Sequence, residues 1–248
     1  MTPVQPHIVP ALRFHRLTPA YDFVVAATTR ERIIKMSLLD QAHIEPRHCV
    51  LDLASGTGTL SIWAKLRQPQ ACVFGIDADP AILAIARSKS HREGVDVKFA
   101  QGRSTFLPYA DASFDRVLSS LFFHHLSWED KQATAAEVYR VLRSGGELHV
   151  ADWGLAKGSL ARTAFLTIQL LDGFVNTQDN VNGRLESLFQ SAGFTKVSEL
   201  CRFATIFGIL SLYRAAKSVT DKQQLPQRQR INGGSHLPRA IGQVHEQN

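Results

Sequence analysis

Val50-Leu-Asp-Leu-Ala-Ser-Gly-Thr-Gly58 decides the fold. Its first part, Cys49–Leu53, is a short apolar run of the kind a buried parallel strand needs. The run passes into the turn Ser55-Gly56-Thr57-Gly58 and then into helical spacing at Leu60, Ile62, Trp63, Ala64 and Leu66, halted before Pro69. The same succession of strand, turn and helix then recurs. Ala71–Ile76 predicts a second strand, and Asp79-Pro80 opens a helix with an N-cap residue followed by proline at the first helical position. Val95–Ala100 and Phe114–Ser120 predict the third and fourth strands. Ser127-x-x-Asp130 starts a helix that runs to Leu142 and ends at Gly145-Gly146, and Glu147–Asp152 is a fifth strand. A helix over Arg184–Ala192 leads to two apolar stretches, Thr195–Phe203 and Ile206–Ala215, close enough to pair antiparallel. The pattern predicts an α/β fold: a doubly wound, mostly parallel seven-stranded sheet with a C-terminal antiparallel hairpin and helices on both faces.

Composition agrees. The chain has 248 residues, 44% hydrophobic and 20% charged, which suits one domain with ample core material. Three scattered cysteines, Cys49, Cys72 and Cys201, exclude a disulfide framework and a structural zinc site, and no metal is expected. No apolar run approaches 18 residues, so no transmembrane segment is expected. Residues 1–48 read as an N-terminal helical cap, with helical spacing over 20–42 ahead of Pro46. Residues 49–217 form the main domain, and 218–248 a flexible basic tail too poor in apolar residues to order itself. Pro3, Pro6, Pro10 and Pro19 argue against a targeting helix, which makes the cytoplasm the expected compartment. Half of the net charge of +6 lies beyond residue 216 and no basic cluster is interleaved with aromatics, so nucleic acid is not an expected partner. The oligomeric state is left open.

In sheets of this kind ligands bind beyond the carboxyl ends of the strands. That rim holds Asp52–Gly58, Asp77, Gly102–Ser104 and Leu121–His125. Two ligands suit a glycine turn there. A nicotinamide dinucleotide needs G-x-G-x-x-G, but Ser61 occupies the third small position, and Asp52 at the strand's own end would repel a pyrophosphate. A carboxylate there suits a ligand carrying an ammonium and a sulfonium instead. Asp77 suits ribose hydroxyls in either case.

Taken together, Val50–Gly58, Gly75-Ile-Asp77, Leu107-Pro-Tyr-Ala-Asp-Ala-Ser-Phe-Asp115, Phe123-His-His-Leu126 and Val141-Leu-Arg-Ser-Gly-Gly146 resemble, in order and spacing, the class I S-adenosylmethionine (AdoMet)-dependent methyltransferases. The resemblance is to the branch containing ubiquinone/menaquinone C-methyltransferases, and runs from about Tyr21 to Tyr213. It implies a Rossmann-like fold with AdoMet as cofactor. It also implies that Asp52 organises the methionine ammonium and that Ala54, Ser55, Gly56 and Gly58 bring backbone to the methionine part. Asp77 would bind the ribose, Ala78 would touch the adenine, Leu121 would line the rim, and Tyr21 would fold over the cofactor. Two departures stand out. Ala54 replaces the usual first glycine, acceptable if its φ stays negative. Arg103 stands where relatives carry an adenine-binding Asp, with Ser104 supplying part of the lost polarity, so weaker cofactor binding is expected.

Methyl transfer from a sulfonium needs alignment, and a general base only when the acceptor holds its proton. His124 and His125 are the candidates for base or loop anchor, with Tyr21 and Asp152 behind them. After the fourth strand comes Ser119-Ser-Leu-Phe-Phe123, not the Asn/Asp-Pro-Pro-aromatic block used on nucleobase or glutamine amino groups, and no Pro-Cys nucleophile is present. Phe122, Phe123, Trp128, Trp153 and the segment Leu160–Phe174 suggest a small, largely apolar or aromatic acceptor. A nicotinamide-dependent oxidoreductase and a non-catalytic AdoMet-binding protein remain the alternatives.

Overall fold

The computed structural model describes residues 31–155, 178–180, 182–205 and 208–219. The expected N-terminal helix is therefore seen from Glu31 onward as α1 (Glu31–Ala42). Tyr21, the segment Leu160–Phe174 and nearly all of the tail lie outside the described residues.

β1 (Cys49–Leu53), buried at its last four positions, is a central strand. β2 (Cys72–Asp77) flanks it in parallel on one side and β4 (Phe114–Ser120) on the other, so that Asp52 stands between Gly75 and Leu118. β3 (Val97–Gln101) lies outside β2, and β5 (Leu142–Trp153) lies beyond β4, both parallel to their neighbours. β7 (Gly208–Ala216) runs antiparallel to β5 and carries β6 (Thr195–Thr205) on its outer edge. The order β3-β2-β1-β4-β5-β7-β6 is the expected seven-stranded sheet, and it changes direction between β1 and β4. A ligand crevice opens at that point.

α1 and α2 (Thr59–Arg67) pack on one face, where Ile34, Leu38, Leu60 and Ala64 meet Val50, Val73 and Leu118. α3 (Pro80–Arg92) starts as the sequence predicts: Asp79 accepts from Ala81 N at 2.8 Å, ahead of Pro80. α4 (Trp128–Val141) and α5 (Leu185–Ser191) cover the opposite face, where Val138, Leu188 and Phe189 pack on Leu51, Val117 and Val150. Ser127 caps α4 by accepting from Asp130 N at 3.1 Å. This helix ends at Val141, before the glycines, because Leu142 already pairs with Phe114. The glycines instead lie within β5, where they extend its pairing with the chain that follows β7. Gly145, at φ +76°, donates to Lys217 O at 3.1 Å, and Gly146 O accepts from Lys217 N at 2.9 Å.

No described helix is long and apolar enough to cross a membrane.

Candidate functional site

Parallel strands end side by side, and here Asp52 and Asp77 stand at the ends of the neighbouring β1 and β2. Asp52 is 2% exposed and accepts from Ser61 Oγ of α2 at 2.5 Å. Burial pushes its carboxyl up to about 6, against the Ser61 hydrogen bond and the nearby Lys35 charge, with Asp77 adding to the rise. Asp77 ends β2. Its Oδ2 accepts from Gly56 N at 2.9 Å and its Oδ1 from Asp79 N at 3.0 Å, which fixes the carboxylate while leaving lone pairs on both oxygens.

The turn between β1 and α2 is drawn tight by Ser55 N to Ile76 O and Gly58 N to Ser55 O, each 2.9 Å. Ala54, Gly56 and Gly58 all adopt left-handed backbone, at φ +55°, +53° and +76°. The condition set for Ala54 is thus not met. Ala54 therefore carries the steric cost of a Cβ in that region. Gly58 is required for space as well, since a Cβ there would lie 2.7 Å from Phe99 Cζ and 3.0 Å from Ala86 Cβ. Gly75 is equally confined: its Cβ would sit 2.6 Å from the Phe99 ring and 2.9 Å from Ser55 Oγ.

The remaining rim residues divide. Leu121, at φ +56°, ties the end of β4 to β5 through its amide on Ala151 O at 2.8 Å. Ala78 is exposed, and its carbonyl accepts from Gln101 Nε2 at 3.1 Å. Arg103 is exposed beside Phe106, which is 79% exposed, while the Ser104 hydroxyl is engaged with Thr134 Oγ1 at 2.8 Å. Phe123 and Trp153, grouped by sequence with the acceptor pocket, belong to the core at 0% and 3% exposure. Phe122 and Trp128 stay half-buried near the rim.

A second polar group forms where β4 and β5 end. Asp152, fully buried, accepts from His124 Nδ1 at 2.8 Å, Trp153 N at 2.7 Å, Phe122 N at 3.1 Å and Asn180 Nδ2 at 3.1 Å. Burial works to raise this carboxyl, but the His124 charge and hydrogen bond and the Trp153 amide hold it below the ordinary value. His125 stacks on His124 with ring centroids 3.9 Å apart. Burial and the His124 charge push His125 down to about 3, against the pull of Asp152. Lys131, fully buried on α4, faces Asp179 at 3.6 Å.

Sequence reading missed Ser61 as the partner of Asp52, having weighed it only as a failed glycine. It also missed Asn180 and Lys131, which reach Asp152 and Asp179 only because the sheet order brings residue 152 beside them. The nine-residue separation from Asp52 to Ser61, one strand, one turn and the start of a helix, is a signal that was available.

The buried Asp52 carboxylate and a buried Ser55 hydroxyl, without a hydrogen-bond partner among the described residues, are left where the methionine part of AdoMet would lie, and Asp77 keeps its acceptors for a ribose. These residues fit that cofactor. Ser61, by contrast, spends its hydroxyl on Asp52 and leaves a carboxylate where a dinucleotide needs room for pyrophosphate. Fold and site thus resemble those of the class I AdoMet-dependent methyltransferases. Residues 50–146 match the model of a methyltransferase domain. Among relatives, the chain is similar to ubiquinone/menaquinone C-methyltransferases. It is 35% identical over 147 residues to a demethylmenaquinone methyltransferase of Thermus thermophilus, covering 56% of this chain and 64% of that one. It is 27% identical over 229 residues to the ubiquinone/menaquinone biosynthesis C-methyltransferase UbiE of Teredinibacter turnerae, covering 83% and 90%. The crystal structure of the YcgJ protein from Bacillus subtilis superposes with a TM-score of 0.62 at 17% identity, covering 76% of this chain and all of that one, a likeness of fold alone. The chain spans 56–64% of the length of the Thermus relative and two others among the first matched.

Proposed function

We propose that this protein transfers the methyl group of AdoMet to a small, apolar or aromatic acceptor of the quinol type. The observation that carries this reading is the pair of carboxylates at the ends of β1 and β2. Asp52, buried and short of partners, suits the methionine ammonium; Asp77, fixed by two backbone amides, suits the ribose diol. Bound AdoMet supplies an electrophilic methyl group. The chain's own residues orient the cofactor and exclude water, which is most of what an in-line displacement requires. Support for the acceptor comes from the half-buried Leu121, Phe122, Leu126 and Trp128 at the rim and from the quinone-methylating relatives.

Two measurements test the reading. AdoMet or S-adenosylhomocysteine at about 100 times its Kd is expected to add about 2.7 kcal/mol of stability, whereas NAD(H) adds none. Incubation with AdoMet and a reduced, prenylated 1,4-naphthoquinone lacking the ring methyl group is expected to yield the methylated quinol. Stabilisation by NAD(H) in place of AdoMet would refute the cofactor, and stabilisation by AdoMet without product would reduce the protein to a binder.

A further inference from the structure

We propose that Cys49 and Cys72 are an oxidant-sensing thiol pair, closed into an intramolecular disulfide by a peroxide and reopened by external thiols. Distant in sequence, they are the first residues of the neighbouring strands β1 and β2 and are register partners in the parallel ladder. They also stand on the same face of the sheet. Cys49 packs with Leu51 and Leu53 against the core under α4 and α5, while Val50 faces α1 and α2. On β2, Phe74 and Ile76 share that first core and Val73 the second, so the alternation of a strand puts Cys72 on the side of Cys49. Neighbouring strands lie about 4.7–4.9 Å apart, inside the Cα separation of about 4.4–6.8 Å that a disulfide spans. Side chains of register partners run alongside each other, so closure draws the strand ends together by up to about 1 Å. Those ends are held by Cys72 N to His48 O at 2.8 Å and Arg47 N to Gln70 O at 3.2 Å. A bond closed against that resistance is more easily reduced than a relaxed one, which suits a reversible link. Cys72 is exposed and Cys49 half-buried, with Arg143 Nη2 reaching Cys49 Sγ at 3.8 Å. An oxidant therefore meets Cys72 first, and Cys49 is placed to resolve it. Cys201, also exposed, pairs in register with Leu212 rather than with a thiol.

Hydrogen peroxide is the oxidant. The Cys72 sulfur attacks one peroxide oxygen, the O–O bond breaks, and the departing hydroxide leaves as water with the thiol proton, giving a sulfenic acid. The Cys49 sulfur then attacks the Cys72 sulfur, the S–O bond breaks, and a second water leaves with the Cys49 proton. Two thiols are oxidised and one peroxide is reduced, by two electrons. An external dithiol reverses the step by exchange and is itself oxidised to a disulfide.

The test uses the full chain, reduced, freed of reductant and treated with a small molar excess of hydrogen peroxide, then alkylated and digested with trypsin without reduction. Cys49 and Cys72 fall on separate tryptic peptides, residues 48–65 and 68–87. Mass spectrometry is expected to show these two peptides joined, with the loss of two hydrogen atoms, and dithiothreitol to separate them again. Cys201→Ser removes the remaining thiol and is expected to form the same link, at a rate independent of protein concentration when peroxide is held fixed. Cys49→Ser is expected to lose the link entirely and to leave Cys72 as a sulfenic acid that dimedone traps. The wild-type and Cys201→Ser digests decide the question even if Cys49→Ser fails to fold. Recovery of both peptides alkylated, a link that forms only between chains, or oxidation of Cys72 to sulfinic acid while Cys49 stays alkylated overturns the inference.

Discussion

Replacing Asp52 by Asn is expected to make the protein more stable and, at the same time, a poorer binder of AdoMet. Asp52 is fully buried, with its Ser61 hydrogen bond at 2.5 Å, and its carboxyl titrates at about 6 where an exposed one titrates at 3.8. That difference corresponds to about 3 kcal/mol of stability lost at neutral pH. The sign follows from proton linkage. Between pH 3.8 and 6 the folded protein holds a proton that the unfolded chain has released, so stability falls as pH rises through this window, and the full cost is present above it. Asn keeps the shape and can still accept from Ser61, but it leaves an amide group to satisfy, which returns part of the gain. A net rise of about 1–2 kcal/mol at pH 7.5, or about 2–6 °C in Tm, is therefore expected. The rise should shrink toward zero at pH 4.5, where Asp52 is already neutral. AdoMet affinity should fall by about 10- to 100-fold, the loss of one charged hydrogen bond. Differential scanning fluorimetry of both proteins at the two pH values, with and without AdoMet, measures all of this. A lower Tm for the variant at pH 7.5, or the same displacement at both pH values, would refute the reasoning.

Two further substitutions probe the turn and the rim. Ala54→Gly relieves a left-handed alanine worth about 1–2 kcal/mol and returns about 0.4–1 kcal/mol to the unfolded chain, so Tm should rise by about 1–4 °C; a fall would show that the strain is not there. Arg103→Asp restores an acceptor at the end of β3 and should tighten the AdoMet Kd by about three- to tenfold, as read by calorimetry. An unchanged or weaker Kd would remove Arg103 from the adenine side of the site.

Most of the sheet was legible because each of its signals is local. β4 falls where the apolar run Phe114–Ser120 puts it, and Asp79-Pro80 opens α3 with the expected cap. What was not legible depends on neighbours distant in sequence. Gly145-Gly146 read as a helix stop, but the partner that reassigns them is Lys217, on the far side of the hairpin. The φ of Ala54 is set by the closing bonds of its turn, which override the preference of its side chain. The four donors to Asp152 come from three separate parts of the chain, and no motif spacing announces them. Phe123 and Trp153 looked like pocket residues because their strand ends are on the rim, whereas their rings turn into the core.

Along β1 and β4 the carboxylates at the two strand ends differ in how their charge is accommodated. At the amino ends, Asp115 binds both Cys49 N and Arg143, and Glu147 takes His149, Arg214 and the nearby Arg116. Those carboxyls are held below their ordinary values, Glu147 at about 2, so they stabilise the fold at neutral pH. At the carboxyl ends of β1 and β4 the balance reverses. Asp52 is raised by its burial, and the buried hydroxyls of Ser55, Ser119 and Ser120 have no hydrogen-bond partner among the described residues. An unsatisfied buried hydroxyl costs about 1–3 kcal/mol, so this rim is tolerated only because the rest of the sheet is stable enough to bear it. A ligand that supplies an ammonium to Asp52 and donors or acceptors to these hydroxyls would recover part of that cost on binding. Affinity for AdoMet at this rim would draw on these groups, which is why neutralising Asp52 should separate stability from binding.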